Sequence, residues 1–230
     1  MAFLESSVVV YLRALYYPDG FNFPLKAIDA NIALTEIIRE AATLIMLVGA
    51  GIIAGKNFLQ RFAYFIYVFA IWDIFYYIFL KLLLNWPDSF LTWDILFLIP
   101  VTWVGPVIAP IILSVLMILF SLLILHFNEQ IVNVRIKAIE WLFLTTGSIV
   151  AIVSFTIDYC SFILKNYSIS EIWSLPSKKL FDLSLQYFPE SFNWLIFTIS
   201  IILILSGILL FFFRLSKSIK DSLSKKEILT

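Results

Sequence analysis

From Ile95 to Asn128 the chain runs for 34 residues without an aspartate, glutamate, lysine or arginine. Such a run cannot face water along its length, and a membrane-spanning helix needs about 20 mostly apolar residues. The run is too long for one span and too short for two spans with a turn. Pro100, Gly105, Pro106 and Pro110 lie inside it, and each breaks or bends a continuous helix. The sequence therefore predicts a short half-helix over Phe90–Pro100 that re-enters the membrane. One full span over residues 103–127 follows it, bent near its start by Pro106 and Pro110.

Four more stretches are long and apolar enough to span: 31–55, 62–84, 138–164 and 192–213. The chain is 62% hydrophobic and 14% charged, where a soluble domain has about 45–50% and about 25%. The expected fold class is an all-α integral membrane protein. It is read as a single polytopic domain over 1–230, a bundle of five spans with one re-entrant segment at 90–100. Short amphipathic interfacial helices are expected at 3–17 and from Lys178 to Phe188. Leu215, Ile219 and Leu223 recur every four residues in the basic tail 214–230, so the last span is expected to continue as a helix at the membrane surface.

The basic residues suggest an orientation. Lys56 and Arg61 follow the first span, Arg135 and Lys137 precede the fourth, and the tail carries five lysines and arginines. In a five-span arrangement these segments share one side, which the positive-inside rule makes cytoplasmic. The expected localisation is the cytoplasmic membrane, with the N-terminus outside and the C-terminus inside.

Ionisable side chains at membrane depth cost several kcal/mol each unless paired or hydrated, so each one points to function. Asp73 falls at the centre of the second span. Glu36, Arg39 and Glu40 fall in the outer half of the first, and Asp158 in the outer half of the fourth. Asp94 enters from the same side on the re-entrant segment. Arg39 can pair with Glu36 three positions away and reach across to Asp73 or Asp94, but one arginine cannot neutralise five carboxylates. The remaining acids are then protonated, hydrated or bound to a cation. Glu140 is expected near the inner interface, in contact with water. Two readings stay open: a buried polar clamp fixing helix register, or an outward-open acidic cavity carrying protons or cations, gated by the broken segment with Pro100, Gly105, Pro106 and Pro110.

Gly51 and Gly55 form a small-residue step on which another helix can pack closely, within the chain or in a dimer. The tripeptide Trp72-Asp73-Ile74 recurs as Trp93-Asp94-Ile95, a slight hint of an inverted repeat.

Other chemistries are excluded by residue type. The chain has one histidine, His126, and one cysteine, Cys160. It therefore lacks the ligands for bis-histidine haem, zinc or di-iron sites and has no glycine-rich phosphate loop. No cofactor and no residue-defined metal site is expected, although carboxylates alone leave a hard cation such as Ca²⁺ or Mg²⁺ open. Balanced charge gives no field for nucleic acid. The expected partners are the lipid bilayer and, in addition, other membrane subunits or a second copy of the chain. The leading functional expectation is a proton- or cation-linked transporter or channel-like protein. The alternative is a non-catalytic subunit or assembly factor of a larger membrane complex. An enzyme using Asp73 and Asp94 as acid and base stands third.

Overall fold

The computed structural model describes residues 1–18, 20–99, 101–131, 133–168 and 185–229, with side chains given for all of these but 30, 166 and 222–229. Among the described residues the chain forms six helices and one two-stranded sheet. The helices are α1 (Ala2–Tyr16), α2 (Ala30–Ala54), α3 (Phe58–Leu84), α4 (Ile108–Gln130), α5 (Ala138–Asn166) and α6 (Trp194–Leu229). Strands β1 (Trp93–Phe97) and β2 (Trp103–Pro106) lie between α3 and α4. Five helices, α2 to α6, are long and apolar enough to cross a membrane. The chain is an integral membrane protein of multi-pass type. Its helices carry large apolar residues outward, such as Ile45 and Ile53 on α2, which are 72% and 89% exposed. Hydrocarbon is the solvent such faces require.

The segment expected to be a half-helix is a β-hairpin. Trp93 faces Pro106, Asp94 faces Gly105 and Ile95 faces Val104, with an irregularity before Phe97 faces Trp103. Aromatic and β-branched residues favour extended backbone, and the hairpin pairs its own N–H and C=O groups where a half-helix leaves its ends open. Pairing continues past the strands, with Val107 and Ile108 N–H donating to the Thr92 and Phe90 carbonyls. Pro106 ends β2, where a missing N–H is tolerated.

Span three accordingly begins at Ile108 rather than 103. Pro110 sits in its first turn, where no backbone N–H donor is needed, and so does not bend it. The repeated tripeptide is helical in α3 and extended in β1, so its two copies are not equivalent structures. Pro100 lies outside the described residues, as does most of the helix expected over Lys178–Phe188.

The basic tail continues the last span, and α6 is one helix from Trp194 to Leu229.

The chain divides into two compact units. Unit 1 comprises Met1–Leu44, Trp72–Pro110 and Ile152–Trp194, and unit 2 comprises Ile45–Ile71, Ile111–Ala151 and Leu195–Thr230.

Unit 2 has an apolar core that includes Ala63 of α3, Ile124 and Phe127 of α4, Leu144 of α5, and Ile208 and Phe211 of α6. Phe120 and Phe127 each meet Phe211 edge-on, at centroid distances of 5.5 and 6.0 Å. Glycines let its helices close in. A Cβ at Gly51 would stand 2.7 Å from the Arg61 carbonyl oxygen of α3, and one at Gly147 would stand 2.7 Å from Ile204 of α6. Gly55 abuts Arg61 as well. Such close approach is how membrane helices gain packing when lipid tails are as apolar as their side chains.

Unit 2 also holds Glu140. It is 1% exposed, buried against the sequence-based expectation that it meets water. Its Oε1 accepts from Arg214 Nε at 2.6 Å and its Oε2 from Arg214 Nη2 at 2.8 Å, a bidentate pair joining α5 to α6.

Candidate functional site: a charged cavity in unit 1

Helix α1 shows why a cavity forms here. It is inverted for a water-soluble helix. Ala2, Ser6 and Arg13 are buried, while Leu4 and Leu15 are 69% and 70% exposed. Ser6 and Arg13 lie seven residues apart, two turns along one face, so α1 turns its polar stripe inward. Ser6 Oγ donates to the Tyr76 carbonyl of α3 at 3.2 Å, and Phe3 meets Phe79 edge-on. Seated this way, α1 delivers Glu5 and Arg13 to the interior of unit 1.

Those two side chains complete a set begun by α2, α3 and β1. A cavity of about 360 Å³ is lined by five carboxylates, those of Glu5, Glu36, Glu40, Asp73 and Asp94. Three cationic side chains line it too, those of Arg13, Lys26 and Arg39. Tyrosines and apolar side chains make up much of the remaining wall.

Arg39 gathers two of the acids. It takes Glu36 Oε2 from Nη2 at 2.8 Å and from Nε at 2.9 Å, and it pairs through Nη1 with Glu5. The pairing with Glu36 follows from their spacing on the helix. The Nη1 arm of Arg39, which sequence spacing offers to Asp73 or Asp94, goes to Glu5 of α1.

Arg13 is the second cation. Its guanidinium carbon lies 3.8 Å from the Trp86 ring centroid and 4.8 Å from that of Phe21. Its Nη2 stands 4.0 Å from Asp94 Oδ1. Asp94 is 3% exposed and also accepts from Tyr77 Oη at 3.2 Å. Burial pushes its carboxyl up to about 6, against the opposing pull of Arg13 and of bonds from the Ile95 N–H and Tyr77. Burial thus favours the protonated form of Asp94 more than in an ordinary carboxylate.

Glu40 plays another part. The Leu98 N–H, just past β1, donates to both of its oxygens at 3.1 and 3.0 Å. Among the described residues Glu40 has no ion pair, and it ties the hairpin to α2.

Of the acids singled out from sequence, Asp158 stands apart and does not line the cavity. It accepts a 2.6 Å bond from Tyr187 Oη and one at 3.4 Å from the Glu190 N–H. That bond, together with burial, raises the Tyr187 phenol well above its ordinary range, burial being the larger cause. Gly105 and Pro106 do not line the cavity either. Gly105 lies where a Cβ would stand 2.9 Å from the Phe155 ring, so it permits β2 to pack on α5. Gly51 and Gly55 belong to unit 2.

Glu5, Arg13 and Lys26 were not anticipated. The signal for the first two was present: a helix otherwise apolar that keeps Ser6 and Arg13 on one face has a polar side to bury.

Among the described residues no three histidine, cysteine, aspartate or glutamate side chains are grouped to hold a metal ion. Comparisons with protein-family models, with curated proteins and with solved structures find no match to this chain.

Proposed function

We propose that this chain is a membrane transporter or channel-like protein that handles protons or cations through the charged cavity of unit 1. The observation that carries the reading is the excess of acid: five carboxylates meet three cationic side chains around one cavity. Among the described residues that line the cavity the acids outnumber the cations, and bare buried anions are too unfavourable to persist. Protons or cations taken from solution supply the balance. Asp94 suits the proton role because burial favours its protonated form. The hairpin, pinned to α2 through Glu40 and Leu98, is the gate in this reading. The distribution of lysine and arginine supports a cytoplasmic C-terminal tail.

Proteoliposomes loaded with a pH-sensitive dye test this. A membrane potential set with potassium and valinomycin should drive a proton-dependent dye response in wild type that falls to the level of protein-free vesicles in Asp73→Asn and Asp94→Asn. A wild-type response no greater than that of protein-free vesicles would sink the reading. So would variants as active as wild type. Recovery of the chain only in complex with a fixed stoichiometry of another membrane protein would favour the subunit alternative.

A further inference from the structure

We infer that the cavity of unit 1 binds a monovalent organic cation with an aromatic or otherwise apolar body, an inference that rests on the cation-handling reading and names its substrate class. The first argument is size. About 360 Å³ is within the range of small-molecule sites, whereas a bare ion would leave nearly all of it to water. The second is donor chemistry. A divalent metal needs several converging oxygen ligands, and among the described residues no such group forms.

The third argument is the wall itself. Trp72, Tyr76 and Tyr77 of α3 line the cavity together with Glu40 and Asp73. Aromatic faces combined with carboxylates are the usual recognition chemistry for organic cations. Apolar side chains such as Leu12 and Ile37 line it as well, and these suit a hydrocarbon body better than a hydrated ion.

The fourth argument comes from the chain's own cation. Arg13 places a planar, delocalised, weakly hydrated guanidinium against the Trp86 and Phe21 rings, with Asp94 at 4.0 Å. Unit 1 thus already stabilises one organic cation by rings and a carboxylate, and elsewhere on the wall of the same cavity Trp72, Tyr76, Glu40 and Asp73 supply groups of the same kinds. Glu40 has no ion pair among the described residues, its oxygens accepting from the Leu98 N–H, so a monovalent cation would add the pair this carboxylate lacks.

The test is equilibrium binding of radiolabelled 1-methyl-4-phenylpyridinium to the full chain in lipid nanodiscs. Saturable binding should appear. Its neutral isostere 4-methylbiphenyl should compete poorly, and millimolar sodium or magnesium should not displace it. Asp73→Asn and Trp72→Leu should each weaken binding about tenfold, whereas Trp72→Phe, which keeps a ring, should stay within about threefold of wild type. Absence of saturable binding overturns the inference, as does equal competition by the neutral isostere. Equal loss in Trp72→Leu and Trp72→Phe also overturns it, because the ring would then not be the contact. Proton or cation flux without pyridinium binding overturns this inference alone. Pyridinium binding without flux leaves the site standing and removes the transport reading.

Discussion

Unit 1 and unit 2 divide α2, α3 and α5 between them, yet they bury different chemistry. In unit 2 the interior is hydrocarbon around Ile124, Phe127 and Phe211, with glycines admitting neighbouring helices and one bidentate ion pair, Glu140 with Arg214. In unit 1 the interior gathers charge from α1, α2, α3 and β1 around a cavity. A helix pair needs only packing and a few hydrogen bonds to associate in lipid, and unit 2 meets that need. The charges of unit 1 go beyond it. The contrast separates the part of the chain that holds it together from the part that acts on a solute.

If the contrast is right, the two buried pairs should respond differently to truncation. The largest loss should come from Arg214→Ala, which leaves the buried Glu140 carboxylate its bond from the Lys137 N–H but removes its arginine. Removing one partner of a buried pair costs about 3–5 kcal/mol, and Glu140 is only 1% exposed. Thermal unfolding in detergent should show a large drop, and Glu140→Gln combined with Arg214→Met should recover most of it. A drop no larger than that of an exposed lysine variant would mean that Glu140 is wet, and the contrast would fail.

A smaller effect belongs to Tyr187→Phe. Its hydroxyl makes the 2.6 Å bond to Asp158, and a hydrogen bond to a charged group contributes about 1.5–3 kcal/mol. Stability should fall by about 2 kcal/mol, while flux and pyridinium binding stay near wild type because neither residue lines the cavity. Loss of flux at preserved stability would place Asp158 in the functional set and redraw the boundary between scaffold and site.

Much of the architecture was legible because lipid imposes length and apolarity on a helix. The expected span 31–55 is α2 at Ala30–Ala54, and 138–164 is α5 at Ala138–Asn166. The hairpin was not legible. A short apolar run such as Trp93–Phe97 has the same hydrophobicity as a strand or as a helix fragment, and periodicity does not separate them. Prolines told where helices stop, not what replaces them.

At the site, the helix spacing of Glu36 and Arg39 gave their pairing, and Asp73 and Asp94 were marked by depth alone. Glu5 and Arg13 are not among the sequence candidates because a stretch as short as 3–17 suits the membrane interface rather than a site. In the folded chain Glu5 and Arg13 line the cavity while Leu4 and Leu15 are exposed. Deciding between the two required knowing that α3 offers the Tyr76 carbonyl to Ser6, which sequence does not carry. The burial of Glu140 was missed for the same reason: its partner Arg214 lies 74 residues away.

The central claim is that a carboxylate in the cavity of unit 1 exchanges protons with solution near neutral pH. Infrared difference spectroscopy of the protein in lipid vesicles measures it directly, through the carboxyl stretch that appears only in the protonated form. The sign follows from the raised value at Asp94. Below about 6 the group is neutral and Arg13 keeps its charge against Trp86 and Phe21 without a counter-ion. Above about 6 the carboxylate and guanidinium are both charged. A pH step from 7 to 5 should therefore produce a protonated-carboxyl band that titrates near pH 6, forms within the mixing time and is missing in Asp94→Asn. No such band in wild type, or a band unchanged in Asp94→Asn, would contradict the account.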